Sequence, residues 1–283
     1  MNNNQQISSI KEYINIISSL QNSVDKTWLY RGQSNSNWDL IEGIFRDSLD
    51  SVSQVADVYR AIGKSIPFDV KSGFNSILNN LENLQHYGVQ TRLLDWTKNP
   101  LIALYFACKG NEDRNGSIYY TCQPIDENKY LNTWFQSGVM KYAIEKENHE
   151  ELSDKFNKWN TKPNNNSSIS LIDNSGFANL PKIDDGLMLL SKSNIPKFIF
   201  FTANKYNRRG VAQNSVMSLN MTPFNNPEHL SKYSKKITIT NNSKSNILKE
   251  LKEVYGIWAL SVYPDDLSYA CKEIANNLIK KED

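Results

Sequence analysis

Apolar residues recur along the chain with two different spacings, which predict a mixture of helices and strands. From Ile10 to Ile17 they return every three or four positions, so an amphipathic helix is expected over 8–20, capped by Ser8 or Ser9. Short runs of β-branched and aromatic residues indicate strands. The strand candidates are 28–31, 116–120, 197–202, 211–220 and 236–240, and the other helix candidates are 57–66, 74–85, 101–108, 247–255 and 267–279.

This succession predicts an α+β fold with a mixed or antiparallel central sheet flanked by helices. The helix over 101–108 is apolar on all sides, so we expect it to be buried, with Pro100 in its first turn. The least regular stretch contains a charged helical run over 141–156 and an Asn-rich segment over 164–168. We therefore expect one domain over 1–283, with an insertion or small subdomain at 123–195.

Composition restricts the class of protein without identifying an activity. Hydrophobic residues make up 39% of the 283 residues, which is enough for a core, and the net charge is only +2. The three cysteines are widely spaced, and no metal-ligand pattern is present, so no metal site is expected. The polar start of the chain and the lack of a long apolar run favour a cytoplasmic protein without a membrane span.

The first motif with chemical content is the sequence Tyr-Arg-Gly-Gln at 30–33. A guanidinium at the end of a strand can bind a phosphate or carboxylate with two parallel hydrogen bonds, so Arg31 is a candidate anion ligand. Gly32 would allow a ligand to approach the backbone closely. The alternative is a surface arginine before an ordinary turn.

The second motif is a dense polar segment over 85–97, interpreted as a loop between two helices. His86 is a candidate acid or base, and Asp95 a candidate partner for His86 or for an arginine. Tyr87 and Trp96 are candidate stacking surfaces. The nearby Thr91 and Arg92 complete the set as candidate ligand contacts.

A structural interpretation of this second segment remains open. In it, Arg92 and Asp95 form an internal ion pair and His86 is a hydrogen-bonded core residue. Asp95 is also a candidate cap for the helix that begins at Pro100. The concentration of polar chemistry in a dozen positions favours a functional site.

A third segment, 207–215, carries Arg208 and Arg209 before a predicted strand. Arg209 and Gln213 are a candidate secondary anion site, and a solvated basic turn is the alternative. The nucleotide-binding P-loop, the nucleophile elbow of α/β-hydrolases and the HExxH zinc motif are absent.

Together, the first two motifs resemble the FRG domain. The chain has Tyr-Arg-Gly at 30–32 and, from His86 to Ala107, matches the pattern HYGxxTRLLDWTxxPxxALxFA. Weaker similarities include Leu40 to Arg46, where Glu42 replaces a usual proline, and the stretch around Arg209 and Gln213. The family is common in bacteria, prophages and mobile elements, so the resemblance implies a defence or toxin–antitoxin system with an antitoxin or other complex partner.

One hypothesis for the activity is an enzyme similar to ADP-ribosyltransferases, which consumes NAD without a metal. In that interpretation Arg31 and Arg92 bind phosphates, His86 holds a ribose hydroxyl, and Tyr87 or Trp96 stacks on the nicotinamide. Asp95 is a candidate for the acidic role, which its spacing does not require. The Glu145–Glu147 pair lies in a charged helical run that favours a solvated face.

Two other classes of function remain. One is a module that binds RNA, single-stranded DNA or a nucleotide without turnover, using arginines and exposed aromatic rings. The other is a sensor or scaffold that recognises a protein in a defence complex. The near-neutral charge is unusual for a nucleic-acid-binding surface.

Overall fold

The central feature of the computed structural model is a seven-stranded mixed sheet. The model describes residues 5–20, 27–46, 82, 85, 90–123, 197–202, 208–220, 227–264, 271 and 275. The strands are β1 (Gln5–Ile7), β2 (Thr27–Gln33), β3 (Leu93–Thr97), β4 (Gly116–Gln123), β5 (Phe198–Thr202), β6 (Ser215–Asn220) and β7 (Lys235–Ile239). Their order across the sheet is β1-β7-β4-β2-β3-β6-β5, and only β1 and β7 run parallel. The predicted α+β fold is confirmed.

Helices connect and cover these strands. They are α1 (Ile10–Ser18), α2 (Pro100–Cys108), α3 (Arg208–Ala212), α4 (Lys244–Glu253) and α5 (Ala259–Val262), with short 3-10 turns at Gly43–Phe45, Leu230–Tyr233 and Asn241–Ser243. The Ser9 hydroxyl caps α1 by accepting from the backbone N–H of Glu12 at 3.2 Å, as the sequence predicted. At α2, Asn99 rather than Asp95 is the cap, since its side chain accepts from the N–H of Leu101 at 2.9 Å.

The two faces of the sheet bury separate clusters, because successive strand residues point to opposite sides. Helices α1, α2 and α4 cover one face, where Tyr30, Ile118 and Ile237 meet them. On the other face Leu29, Leu94 and Trp96 pack with residues from β4, β5 and β6. Helix α2 is buried, as its apolar sequence predicted.

The sheet opens between β2 and β3. Strand β2 pairs with β4 from Thr27 to Gln33, and β3 pairs with β6 over its whole length. Between β2 and β3, both described in full, the register contains the single pair Tyr30 and Thr97. Beyond that pair the two strands separate, which leaves a gap at the end of β2 that carries Arg31 and Gly32.

Two glycines allow α2 to lie directly on the sheet. A Cβ on Gly32 would overlap the carbonyl oxygen of Ala103 and stand 2.7 Å from the backbone nitrogen of Ala107. A Cβ on Gly116 would overlap the carbonyl oxygen of Ala107. The absence of a Cβ at Gly32 therefore makes room for the backbone of α2.

Three strands differ from what the sequence predicted. The segment over 93–97 is a central strand rather than a loop, because Leu93, Leu94 and Trp96 are buried and leave only Asp95 exposed. The strand predicted over 211–220 begins at Ser215, after the helical turn of α3. Strand β1 lies in the polar start of the chain, where no pattern predicted it.

Most of the other predicted elements agree with the structure within a few residues, among them β2, β4, β5, β7 and α4. The predicted insertion at 123–195 and the predicted helix at 57–66 lie outside the described residues, apart from Gln123 at the end of β4. The helices predicted over 74–85 and 267–279 are described only at residues 82, 85, 271 and 275, all of which have helical backbone.

Replacing Gly32 by alanine is expected to destabilise the fold by more than about 3 kcal/mol, because the new methyl group meets helix backbone that cannot move independently. Chemical denaturation measures this loss. Gly43→Ala is the matched control, because its Cβ would meet Gln90 at 3.5 Å, an ordinary contact. Equal stability of the two variants would contradict the packing described for α2.

Candidate functional site

A cleft of about 280 Å³ lies where β2 and β3 separate. Both sequence motifs and the third arginine segment contribute to its walls. The lining residues are Tyr30, Arg31, Gly32, Glu82, Gln85, Asp95, Trp96, Thr97, Phe106, Arg209, Gly210, Gln213, Ser215, Met217 and Tyr263. The structure thus brings together Arg31, Gly32, Asp95, Trp96, Arg209 and Gln213 from the residues singled out in the sequence.

Arg31 bridges the gap in the sheet. Its Nη1 donates to the backbone carbonyl of Asp95 at 2.6 Å and stands 3.9 Å from the carboxylate oxygen Oδ2 of the same residue. The side chain is only 17% exposed. Burial is the main cause that lowers the pKa of Arg31, and the charge of Asp95 acts in the opposite direction. Arg31 therefore replaces the missing backbone pairing between the strands and still lines the cleft.

Asp95 is held by a short chain of hydrogen bonds. The Gln85 Nε2 donates to Asp95 Oδ2 at 2.6 Å, and the Thr91 hydroxyl donates to Gln85 Oε1 at 2.5 Å. The Thr91 hydroxyl also accepts from the backbone N–H of Leu93 at 3.0 Å. This chain fixes the Asp95 carboxylate, which remains 52% exposed toward the cleft.

The opposite wall combines a cation with aromatic rings. The Arg209 guanidinium lies 4.9 Å from the centre of the Tyr263 ring, and that ring contacts Phe106 edge to face at 6.1 Å. Gln213 joins this wall to the sheet, because its Nε2 donates to the Val262 carbonyl at 3.1 Å and its backbone carbonyl accepts from the Thr97 hydroxyl at 2.6 Å.

Sequence reasoning missed Glu82 and the role of Gln85. Both have helical backbone, Glu82 is 6% exposed, and both line the cleft. Residues three apart on a helix share a face, so a polar pair at this spacing immediately before the His-Tyr-Gly motif was the available signal.

Two of the predicted ligand contacts have their side chains in the core. The Arg92 side chain is 1% exposed, its Nη1 donates to the Asn220 carbonyl at 3.4 Å, and it lies 5.3 Å from the centre of the Phe45 ring. The Trp96 indole is 2% exposed, and its N–H donates to the Ser218 hydroxyl at 2.9 Å. The predicted catalytic residue His86 and the predicted stacking residue Tyr87 lie outside the described residues.

The ion pair considered between Arg92 and Asp95 does not form. Side chains alternate between the two faces of β3. Arg92, one residue before the strand, lies on the same face as Leu94 and Trp96, whereas Asp95 points to the opposite face. Asp95 is paired with Arg31 instead.

A second carboxyl group, Glu42, is buried on the side of the sheet that carries Leu94 and Trp96. It is 0% exposed, and its Oε2 accepts from the Asn220 side-chain amide at 3.0 Å. Burial raises the pKa of Glu42 to about 7, while the Asn220 hydrogen bond and the charges of Arg31 and Arg92 act in the opposite direction. Sequence reasoning noted Glu42 only as a replacement for proline.

The described part of the chain lacks both a metal-binding cluster and a membrane-spanning helix. No group of three or more histidine, cysteine, aspartate or glutamate side chains there is arranged to hold a metal ion. No helix among these residues has the length and apolar composition needed to cross a membrane.

Comparison with protein families identifies the segment that carries both motifs. The family model described as "FRG domain" matches residues 26–116. The chain contains an FRG domain. No curated protein and no solved structure gives a significant match.

The FRG domain match covers β2, β3, α2 and the first residue of β4, which supply Arg31, Asp95 and Phe106 to the cleft. Arg209, Gln213 and Tyr263 come from beyond the matched segment. The cleft is therefore formed jointly by the FRG domain and the C-terminal part of the chain.

Substituting Asp95 by asparagine is expected to lower the free energy of unfolding by less than about 1 kcal/mol, because the carboxylate is half exposed and its ion pair is long. Substituting Arg92 by leucine is expected to cost more than about 2 kcal/mol, since Arg92 is buried among polar groups. Denaturant titration of both variants checks this order. A larger loss in the Asp95 variant would make Asp95 a structural residue.

Proposed function

We propose that the cleft of this FRG-domain protein binds NAD and releases nicotinamide, in the manner of an ADP-ribosyltransferase. The observation that carries the proposal is the convergence of two guanidinium groups, from Arg31 and Arg209, with the fixed carboxylate of Asp95 in one cleft. Such a combination matches a substrate that has both anionic phosphates and a cationic ring.

The arginines supply the anion-binding part of this proposal. Arg31 is mostly buried, so its interaction with a phosphate is less weakened by water than that of a surface arginine. Arg209 lies against Tyr263, which restricts its side chain before any ligand arrives. In this assignment Arg92 supports the fold, and the phosphate contacts belong to Arg31 and Arg209.

In the proposal, acidic side chains stabilise the positive charge that develops on the ribose. When nicotinamide leaves, the bond between its ring nitrogen and the ribose carbon breaks, and the electron pair departs with the ring. Positive charge then develops on the ribose, and the carboxylate of Asp95 or Glu82 stabilises it until water or an acceptor group attacks. Asp95 is the better placed of the two, because it is fixed by Gln85 and exposed to the cleft.

The cleft volume limits which part of the substrate enters. About 280 Å³ is near the lower end of the range for small-molecule sites. We therefore assign the space between Arg31, Arg209 and Phe106 to the nicotinamide ribose and the adjoining phosphate, with the adenosine half lying further out.

A biological role in a bacterial or phage defence or toxin–antitoxin system in the cytoplasm is also part of the proposal. Its support is the similarity of the two motifs to those of FRG proteins from mobile elements. A nucleic-acid or protein target would be the acceptor, and an antitoxin or complex partner would control the activity.

A nucleotide-binding sensor without turnover is the second candidate. One observation favours it: the Asp95 carboxylate already accepts from Gln85 and faces Arg31, which lowers its capacity to act on a substrate. Recognition of a polynucleotide has less support, because the Trp96 ring and the Arg92 guanidinium lie in the core.

The test is release of nicotinamide from NAD by the purified chain, alone and with cell extract. Arg209→Gln is expected to lower kcat/KM by about 10- to 100-fold, the size of one lost charge-assisted contact. Arg208→Gln is the matched control, because its exposed side chain does not line the cleft.

Each outcome separates the candidates. Release by the wild type that falls only in the Arg209 variant supports the transferase. Binding of NAD without release in any extract supports the sensor. Absence of both binding and release, in protein that melts cooperatively, would refute the NAD assignment.

A further inference from the structure

The buried Glu42 has one carboxylate oxygen without a hydrogen-bond partner among the described residues. Its Oε2 accepts from the Asn220 amide, but Oε1 has no such partner. Glu42 lies just before the 3-10 turn Gly43–Phe45, and the Ile44 N–H of that turn donates to the Thr91 carbonyl at 3.2 Å. The turn that follows Glu42 is thus hydrogen-bonded to Thr91, whose hydroxyl belongs to the hydrogen-bond chain that holds Asp95.

Two side chains of β2 also have a buried polar atom without a hydrogen bond. The Arg31 Nε and the Gln33 Oε1 are buried and make no hydrogen bond within the described part of the chain. A buried polar atom without a partner is costly and rare in native proteins, and such atoms often mark a functional or proton-linked group. Leu29, Arg31 and Gln33 alternate onto the side of the sheet where Glu42 is buried.

The charges around Glu42 are few. Among the described residues, the charged groups that act on its carboxyl are Arg31 from β2 and Arg92 from the residue before β3. Asn220, from β6, is neutral and holds the other oxygen. Arg31 in turn is influenced by Asp95 on the cleft side and by Arg46 and Glu42 on the other side.

We propose that Glu42 is a positioning residue that sets, from the far side of the sheet, how much positive charge Arg31 presents to an anion in the cleft. The inference rests on the proposed function to the extent that the anion is a phosphate of the substrate. Ionised Glu42 offsets the charge of Arg31, and protonated Glu42 leaves that charge fully available.

The direction of the pH effect follows from this arrangement. The pKa of Glu42 is about 7, so its carboxyl group is protonated below neutral pH and ionised above it. Anion binding is therefore stronger at pH 5.5 than at pH 8.5, by roughly three- to tenfold for one charge acting across a partly buried distance.

Stability must change in the same pH window. The folded-state pKa is above the unfolded value of about 4.5, so the contribution of Glu42 to stability is fully present below pH 4.5. It is lost as the pH rises through 7. The melting temperature of the wild type is expected to fall relative to that of Glu42→Gln between pH 5 and pH 8.

The experiment is calorimetric titration with ADP-ribose at pH 5.5, 7.0 and 8.5, since its pyrophosphate keeps its charge over this range. Wild type is compared with Glu42→Gln, which keeps an acceptor for Asn220, and with Glu250→Gln, an exposed control on α4. We expect the wild type and the control to bind more weakly as pH rises, and Glu42→Gln to show constant affinity. An identical pH profile in all three would overturn the inference while leaving the proposed function intact.

A measurement without ligand separates the inference from the proposed function. Carbon-13 spectra of glutamate-labelled protein give the carboxyl resonance that is missing from Glu42→Gln. Titration of this resonance between pH 5.5 and 8.5, shifted by Arg31→Lys, supports the link even if ADP-ribose does not bind. A resonance that stays ionised throughout this range, or that Arg31→Lys leaves unshifted, would overturn it.

Discussion

The approach of α2 to the sheet is the constraint on which the rest of the structure depends. Gly32 and Gly116 remove the two Cβ atoms that would hold the helix away, and Ala103 and Ala107 present their backbone to the space that results. Because only two residues separate the end of β3 from the start of α2, this contact also fixes where β3 can lie. The helix directs Phe106 into the cleft, next to the opening between β2 and β3. The packing of α2 on the sheet therefore determines both the gap between β2 and β3 and the position of Phe106 beside it.

The sequence predicted the fold more completely than the site. Helix α2 and strand β2 were predictable because their apolar patterns are local and uninterrupted. Strand β3 was not, because its own Asp95 and Thr97 and the preceding polar residues up to Arg92 favoured a loop, and only burial between β2 and β6 shows that Leu93–Thr97 is a strand. The partner of Asp95 was likewise unpredictable, since Arg31 is 64 residues away and meets it only across the opened sheet. Motif content therefore predicted several residues that line the cleft, and only the topology showed which of them meet.

The departure of the chain from its family pattern has a physical consequence. A proline preceding the 3-10 turn would restrict the backbone and carry no charge, whereas Glu42 supplies a buried carboxyl group on which the charges of Arg31 and Arg92 both act. The buried arginines already lose hydration, so a nearby carboxyl decides how much of their charge is offset.

The division of the cleft between two parts of the chain bears on specificity. Arg31 and Asp95 belong to the FRG-domain segment, and Arg209, Gln213 and Tyr263 lie beyond it. In the proposed function, the substrate meets one set of groups that the domain supplies and another set that the rest of the chain supplies. In the proposed function, recognition therefore depends also on the opposite wall, where the Arg209–Tyr263 contact sets the shape of the site.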